Sequence, residues 1–200
     1  MPSEFPLLNH QELVIRAGET EHARAFFETM GCLVTDLFDG QHLAIYINGE
    51  AGPTVDNVIY ANEPTPAQAR FEAALEAAIS ADTELDGMRK AFRNIRWEWP
   101  QYVAHFGAAV PTHEDWLART ERMQEANRSH PLLKGRVNVK ICEPGLRHAL
   151  GPQSQSFIHT DIVTNGVFAV AGVIFDLQWN PEIDLANMEP IDFPDMATMV

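Results

Sequence analysis

The chain has 200 residues, 46% of them apolar, which is enough for one or two compact domains with a proper core. Fourteen basic against twenty-eight acidic residues leave a net charge of −14, which argues against a nucleic-acid footprint or attraction to anionic membranes. That surface repels anions on average, although a local cationic pocket could still hold one.

No apolar run approaches the roughly 20 residues needed to span a bilayer. The N-terminal MPSEFPLLNH has neither a basic segment nor a long apolar one. The cysteines, Cys32 and Cys142, are too few for a disulfide framework or a paired-cysteine metal site. The expectation is a reduced, cytoplasmic protein.

HQELVIRAG alternates, with Leu13, Ile15 and Ala17 on one side and His10, Glu12 and Val14 on the other, the signature of a two-faced strand. A helix follows, with Ala23, Phe26, Phe27 and Met30 as its apolar stripe and Gly31 as its stop. Cys32–Phe38 and His42–Ile47 read as strands joined at Asp39-Gly40, a hairpin signal, and Asn57–Asn62 reads as a fourth strand. The order is β-α-β-β-β over residues 8–64.

Residues 65–100 break the pattern. Thr65-Pro66-Ala67-Gln68 combines an N-cap, a proline at the first helical position and a capping-box glutamine. Phe71, Ala74, Leu75, Ala78 and Ile79 form one apolar face; Leu85, Met88, Phe92 and Ile95 form another, ending before Trp97-Glu98-Trp99-Pro100. These stripes predict a helical insertion whose aromatic and methionine residues are core, covering one side of a cavity or an oligomer interface.

The first pattern then restarts over residues 101–180. Tyr102–Val110 is a predicted strand, and Thr112-His113-Glu114-Asp115 caps a helix lined by Trp116, Leu117, Thr120 and Met123. Arg136–Cys142, Ser156–Val163 and Val173–Trp179 follow as strands. HQELVIRAGETEHARAFF and HFGAAVPTHEDWLART both open with a histidine and turn into a helix after a threonine, an internal repeat of architecture. The acidic tail, residues 181–200, reads as a lid, a dimer arm or a disordered end.

Two apolar strands carry an unexpected polar group: His105 in YVAHFGAAVPT and Asp176 in VIFDLQW. Burying a neutral polar group unpaired costs about 2–7 kcal/mol, and a charge costs more. Hydrogen bonds to backbone, an arginine such as Arg16 beside Asp176, or a ligand would each satisfy them. His159 and Asp161 in SFIHTDIV read as a surface or interface pair, or as pocket-lining groups for acid–base chemistry.

With His10 in NHQELVIRAG, His105 in AHFGAAVPTHEDW and Asp176 in VIFDLQ, the doubled βαβββ pattern resembles the vicinal oxygen chelate superfamily of glyoxalases, extradiol dioxygenases and bleomycin-resistance-type proteins. Two departures stand out: an aspartate where the last strand usually carries glutamate before Leu-Gln, and HTDIVTNGVFAVAG in place of an Asp-Pro-Asp-Gly turn. The resemblance implies an α+β fold of two βαβββ modules forming a cupped mixed sheet around a central cavity. It also implies a divalent metal on His10, His105 and Asp176, a two-histidine, one-carboxylate set that favours iron(II), with zinc, manganese or nickel as other choices. Tyr60 or Glu63 would be a fourth ligand in the glyoxalase-like arrangement. Glu12 and Gln178 share strand faces with His10 and Asp176 and would contact the ligands or substrate; His159 and Glu12 are the candidate acid–base residues, and Gln178 the candidate cofactor contact.

Phosphate-cradling, nucleophile-elbow and HExxH motifs are absent from the sequence, and neither cysteine has a nucleophile signature. Three functions follow: an iron(II) oxygenase using dioxygen on a small organic substrate, a Lewis-acid isomerase, lyase or hydrolase, and a metal-free small-molecule-binding protein. A homodimer is compatible with each; nucleic acid and membrane are not expected partners.

Overall fold

The computed structural model describes residues 10–38, 40, 42–49, 52–53, 57–146 and 151–181. The tail expectation for 181–200 and the Asp39 side of the first hairpin turn therefore fall almost wholly outside the described residues.

The first module runs β1 (His10–Ile15), α1 (Thr20–Met30), β2 (Leu33–Leu37), β3 (His42–Tyr46) and β4 (Val58–Asn62). Strands β2, β3 and β4 form an antiparallel meander, and β4 pairs in parallel with β1, His10 opposite Val58. Helix α1 ends where expected: Gly31 takes φ 97°, and its N–H returns to the Glu28 carbonyl at 3.0 Å, a left-handed cap that glycine enters without strain.

The second module repeats that plan. It runs β5 (Phe106–Ala109), α4 (His113–Ser129), β6 (Val137–Cys142), β7 (Ser154–Thr160), β8 (Val163–Thr164) and β9 (Ile174–Trp179). Strands β6, β7 and β9 are antiparallel neighbours, and β9 pairs in parallel with β5, as β4 does with β1. The structure is thus α+β, built on two mixed sheets, β2-β3-β4-β1-β8 and β5-β9-β7-β6.

Two strands differ from the sequence reading. Predicted strand Tyr102–Val110 is a 3₁₀ turn at Pro100–Tyr102 followed by a lead-in and the short β5, because β9 offers partners only from Phe106 onward. His105 therefore precedes the strand. Predicted strand Ser156–Val163 divides: the Thr160 hydroxyl accepts from the Ile162 N–H at 3.2 Å and turns the chain, so that β8 leaves its own sheet and pairs with β1.

The core lies where the helix-bearing faces of the two sheets meet. Leu13, Ile15, Phe26, Phe27, Ile45, Trp116, Met123, Ile158, Phe175 and Leu177 belong to one buried cluster. Phe175 of β9 touches Phe26 and Phe27 of α1 at ring separations of 5.6 and 5.4 Å, tying the modules together. Arg119 of α4 donates to the Met30 carbonyl at the end of α1, placing a cation where the helix dipole is negative.

The insertion forms α2 (Pro66–Ala81) and α3 (Thr83–Glu98), with the Thr65 hydroxyl accepting from the Gln68 N–H as predicted. Its apolar stripes are not core. Phe71 is 57% exposed, Met88 58% and Phe92 39%, and no residue of either helix is buried. The polar face docks instead. Arg89, Arg93 and Arg96, on successive turns of α3, donate to the carbonyls of Ala169, Val170 and Gly172, and Glu72 accepts from the Phe168 and Ala169 N–H groups. The loop before β9 carries backbone groups that no strand pairs, and these side chains satisfy them. No helix among the described residues is long and apolar enough to cross a membrane.

Candidate functional site

The second sheet turns one face to α4 and the other to the insertion. On β9, Phe175 and Leu177 face the core, so Asp176 and Ile174 face the insertion; on β7 the same alternation puts Gln155, Phe157 and His159 there. Segment 97–103 lies across this face. Lys140 of β6 donates to the Trp97 and Glu98 carbonyls at 2.8 and 2.7 Å, capping the end of α3. Gln101 donates to the Cys142 sulfur at 3.5 Å, and Val103 packs on Cys142, Phe157 and Ile174.

Asp176 is the centre of this face. It is 2% exposed, and its Oδ2 accepts from Gln155 Nε2 at 2.6 Å, while Oδ1 is buried without a partner. Burial pushes its pKa up to about 6, against the opposing pull of the Gln155 hydrogen bond and the His105 charge. His105 stands beside it, its ring edge-on to Phe157 at 5.5 Å and its Nδ1 2.8 Å from the Val103 carbonyl. A carbonyl only accepts, so Nδ1 carries the hydrogen and Nε2 is the basic nitrogen. Gln155 is the partner that the sequence reading missed; it lies on the same face as Phe157, two residues along β7.

His10 is not part of this cluster. It lies on β1 of the other sheet, its ring 5.6 Å from Tyr60, and Glu12 on the same face accepts from Asn62 at 2.9 Å. Glu63 accepts from the Gly18 N–H and the Thr20 hydroxyl at the start of α1, a structural post. Gln178 donates to Asn180 at the end of β9. Arg16 turns to Asp161, not to Asp176.

A resident divalent ion finds half of what it needs here. The orphaned Oδ1 of Asp176 and the ring of His105 are two suitable donors, but no group of three His, Cys, Asp or Glu converges among the described residues. Protein-held zinc and non-haem iron take three or more ligands. The expected set of His10, His105 and Asp176 is not brought together: β1 turns Leu13 and Ile15, and β9 turns Phe175 and Leu177, into the shared core, so His10 and Asp176 lie on faces turned away from it.

The thiols offer no alternative nucleophile. Burial pushes Cys32 up to about 12 and also raises Cys142, so neither is a ready thiolate.

His159 and Asp161 line a cleft of about 530 Å³ at the far end of the same face, together with Arg16, Arg93, Arg96, Arg136 and Trp97. Of the two sequence readings this placement matches the pocket-lining one, with Asp161 half exposed at the rim and His159 mostly buried. Burial, with Arg96 and Lys140 adding to it, pushes His159 down to about 4, so its ring is neutral near pH 7.

No family model matches the chain, and no curated protein matches it in sequence. Among solved structures, it is similar to a protein described as a possible glyoxalase from Bacillus cereus, at 10% identity and a TM-score of 0.41, covering 85% of this chain and 96% of that one. It is also similar to a lactoylglutathione lyase from Agrobacterium tumefaciens, at 10% identity and a TM-score of 0.42, covering 90% and 96%. A hypothetical protein from S. aureus gives 11% identity, a TM-score of 0.43, and 90% and 96% coverage. At such values these likenesses assign no role to any residue here.

Proposed function

We propose that the chain is an enzyme of glyoxalase-like build whose Asp176–His105 pair performs acid–base chemistry on a small organic molecule. The observation that carries this is Oδ1 of Asp176, a carboxylate oxygen sealed from solvent without a hydrogen bond, next to an imidazole with a basic nitrogen to spare. A buried acceptor left unsatisfied costs about 1–3 kcal/mol of stability. At Asp176 that cost coincides with a raised carboxyl pKa and a neighbouring imidazole, a combination associated with reactive groups.

The two groups divide the work by environment. The carboxyl, with its proton affinity raised towards neutrality but almost no surface of its own, exchanges its proton with a substrate by way of the less buried His105. His105, less buried than Asp176 and held by Val103, serves as the second proton carrier. Gln155 fixes one carboxylate oxygen so that the other presents its lone pairs. A proton taken at one carbon of a substrate and returned at another is isomerase chemistry, and needs no redox partner; a lyase step would in addition break a bond to a leaving group that takes up the proton.

The test is exchange of carbon-bound hydrogen with solvent deuterium in hydroxyacetone and dihydroxyacetone, followed by proton NMR. The parent should catalyse exchange, and Asp176→Asn and His105→Ala should lose it while keeping the parent's circular dichroism. Equal exchange by all three proteins would refute the assignment. Stoichiometric iron in protein purified without chelator, lost in Asp176→Asn, would restore the iron(II) oxygenase reading in its place.

A further inference from the structure

We infer that the cleft between α3, the loop before β9 and the end of β7 is a binding site for a small organic carboxylate, whose charged head sits on Arg93 and Arg96 and whose body lies against Trp97 and Phe168. This inference does not rest on the acid–base reading, because Phe157 and Ile174 separate the cleft from Asp176 on the shared face.

The charge balance is the first argument. In a chain with net charge −14, four arginines line this one cleft against two carboxylates, Glu76 and Asp161. Both carboxylates are committed elsewhere. Glu76 binds Arg89 at 2.6 Å and accepts from Ser80, and Asp161 binds Arg136 at 2.6 Å with Arg16 at 3.9 Å. Arg136 is further neutralised by Glu19. Arg93 and Arg96 are the cleft arginines left without an ion pair among the described residues: Glu76 feels the Arg93 charge but is held by Arg89, and each of the two spends one donor on a loop carbonyl.

Two neighbouring guanidinium groups repel, and the repulsion is felt. Burial, with Arg93 adding to it, holds Arg96 below the usual arginine range. A guanidinium carries five N–H donors in a planar fork, which matches a carboxylate better than a point charge would. The structure pre-arranges that fork, because the same arginines hold α3 against the loop while Glu72 anchors the neighbouring α2 to it.

The rest of the lining distinguishes an organic anion from an inorganic one. Trp97 and Phe168 give the cleft apolar walls, and Arg16 is stacked over the Phe168 ring at 4.5 Å. His159, its ring 5.0 Å from that of Trp97, has a buried Nε2 without a partner in the lining, a neutral group suited to a second polar atom of the ligand. A volume of about 530 Å³ is within the range of small-molecule sites.

The experiment is calorimetric titration of the full chain at low salt with phenylacetate, butyrate, phenylacetamide and inorganic phosphate. Phenylacetate and butyrate should saturate one site, with phenylacetamide and phosphate at least tenfold weaker. Arg93→Gln should weaken the carboxylates at least fivefold while its circular dichroism and thermal midpoint stay close to the parent's; Arg96→Gln should weaken them more; Arg128→Gln, on the far helix, should not. Added salt should weaken phenylacetate and leave phenylacetamide unmoved. The inference is overturned if neither carboxylate binds saturably, if acid and amide bind alike, if phosphate binds as tightly as phenylacetate, or if Arg93→Gln binds as the parent does.

Discussion

Arg96 donates to the Gly172 carbonyl at 2.6 Å, and Gly172 is a position that admits no side chain: a Cβ there would lie 1.8 Å from the Thr160 carbonyl oxygen. The loop carrying it thus touches backbone on one side and α3 on the other. Gly172→Ala must push the loop off β7, and overpacking of this kind costs about 1–3 kcal/mol or more. Urea unfolding should show that loss. A stability within error of the parent would mean that the loop sits differently.

Lys140 joins the second sheet to the end of α3 through two carbonyls. Lys140→Met keeps the stem and removes the donors. Hydrogen exchange should then quicken in Thr83–Glu98 while β6 and β7 keep their protection. Uniform quickening across the sheet would contradict a local role for this residue.

Asp176 and His159 lie on one face and pull stability in opposite directions with pH. The Asp176 carboxyl holds its proton in the folded state up to about 6, but ordinarily only to 3.8. Between those values the native state binds the extra proton, so its contribution to stability is lost as pH rises. His159 takes a proton at 6.5 when unfolded and only at about 4 when folded. Its contribution is present above 6.5 and lost as pH falls towards 4. Between pH 4 and 6 the two slopes nearly cancel. Asp176→Asn should expose the histidine slope, stability rising with pH by roughly 3 kcal/mol across that window, and His159→Gln should expose the opposite one. Parallel profiles for both variants and the parent would refute the pairing of slopes.

Exposure sets the cost of altering aromatic stripes. Phe71→Gln and Phe92→Gln should change stability by no more than about 0.5 kcal/mol. Phe27→Ala, at a side chain wholly buried against Phe26 and Phe175, should cost about 3–5 kcal/mol. Thermal unfolding of the three variants separates the two classes.

Those stripes also show what the sequence could tell. The repeat was legible because β1 and the threonine-led helices carry local signals: alternation, capping hydroxyls and Gly31 as a stop. The docking of the insertion was not, because apolar periodicity marks a face without naming its partner. The arginines at 89, 93 and 96 share a face at helical spacing and were the readable clue to the polar dock and the cleft. Asp176 stood out as an acid in an apolar strand, and it is buried as that pattern requires. Its partner Gln155 could not be found locally, since the pair depends on the β7–β9 register. His10 matched by motif position alone, and how the polar faces of β1 and β9 are turned relative to their shared core is a tertiary fact.

The central claim is that Asp176 and His105 form one proton-exchanging unit. Carbon-13 NMR of aspartate side-chain carboxyls, followed from pH 3 to 8 in the parent and in His105→Ala, tests it most directly, with Asp176→Asn identifying the signal. The account predicts a midpoint near 6 for Asp176 in the parent, moving higher when the His105 charge is removed. A midpoint in the ordinary aspartate range, or one that does not respond to His105→Ala, would contradict it.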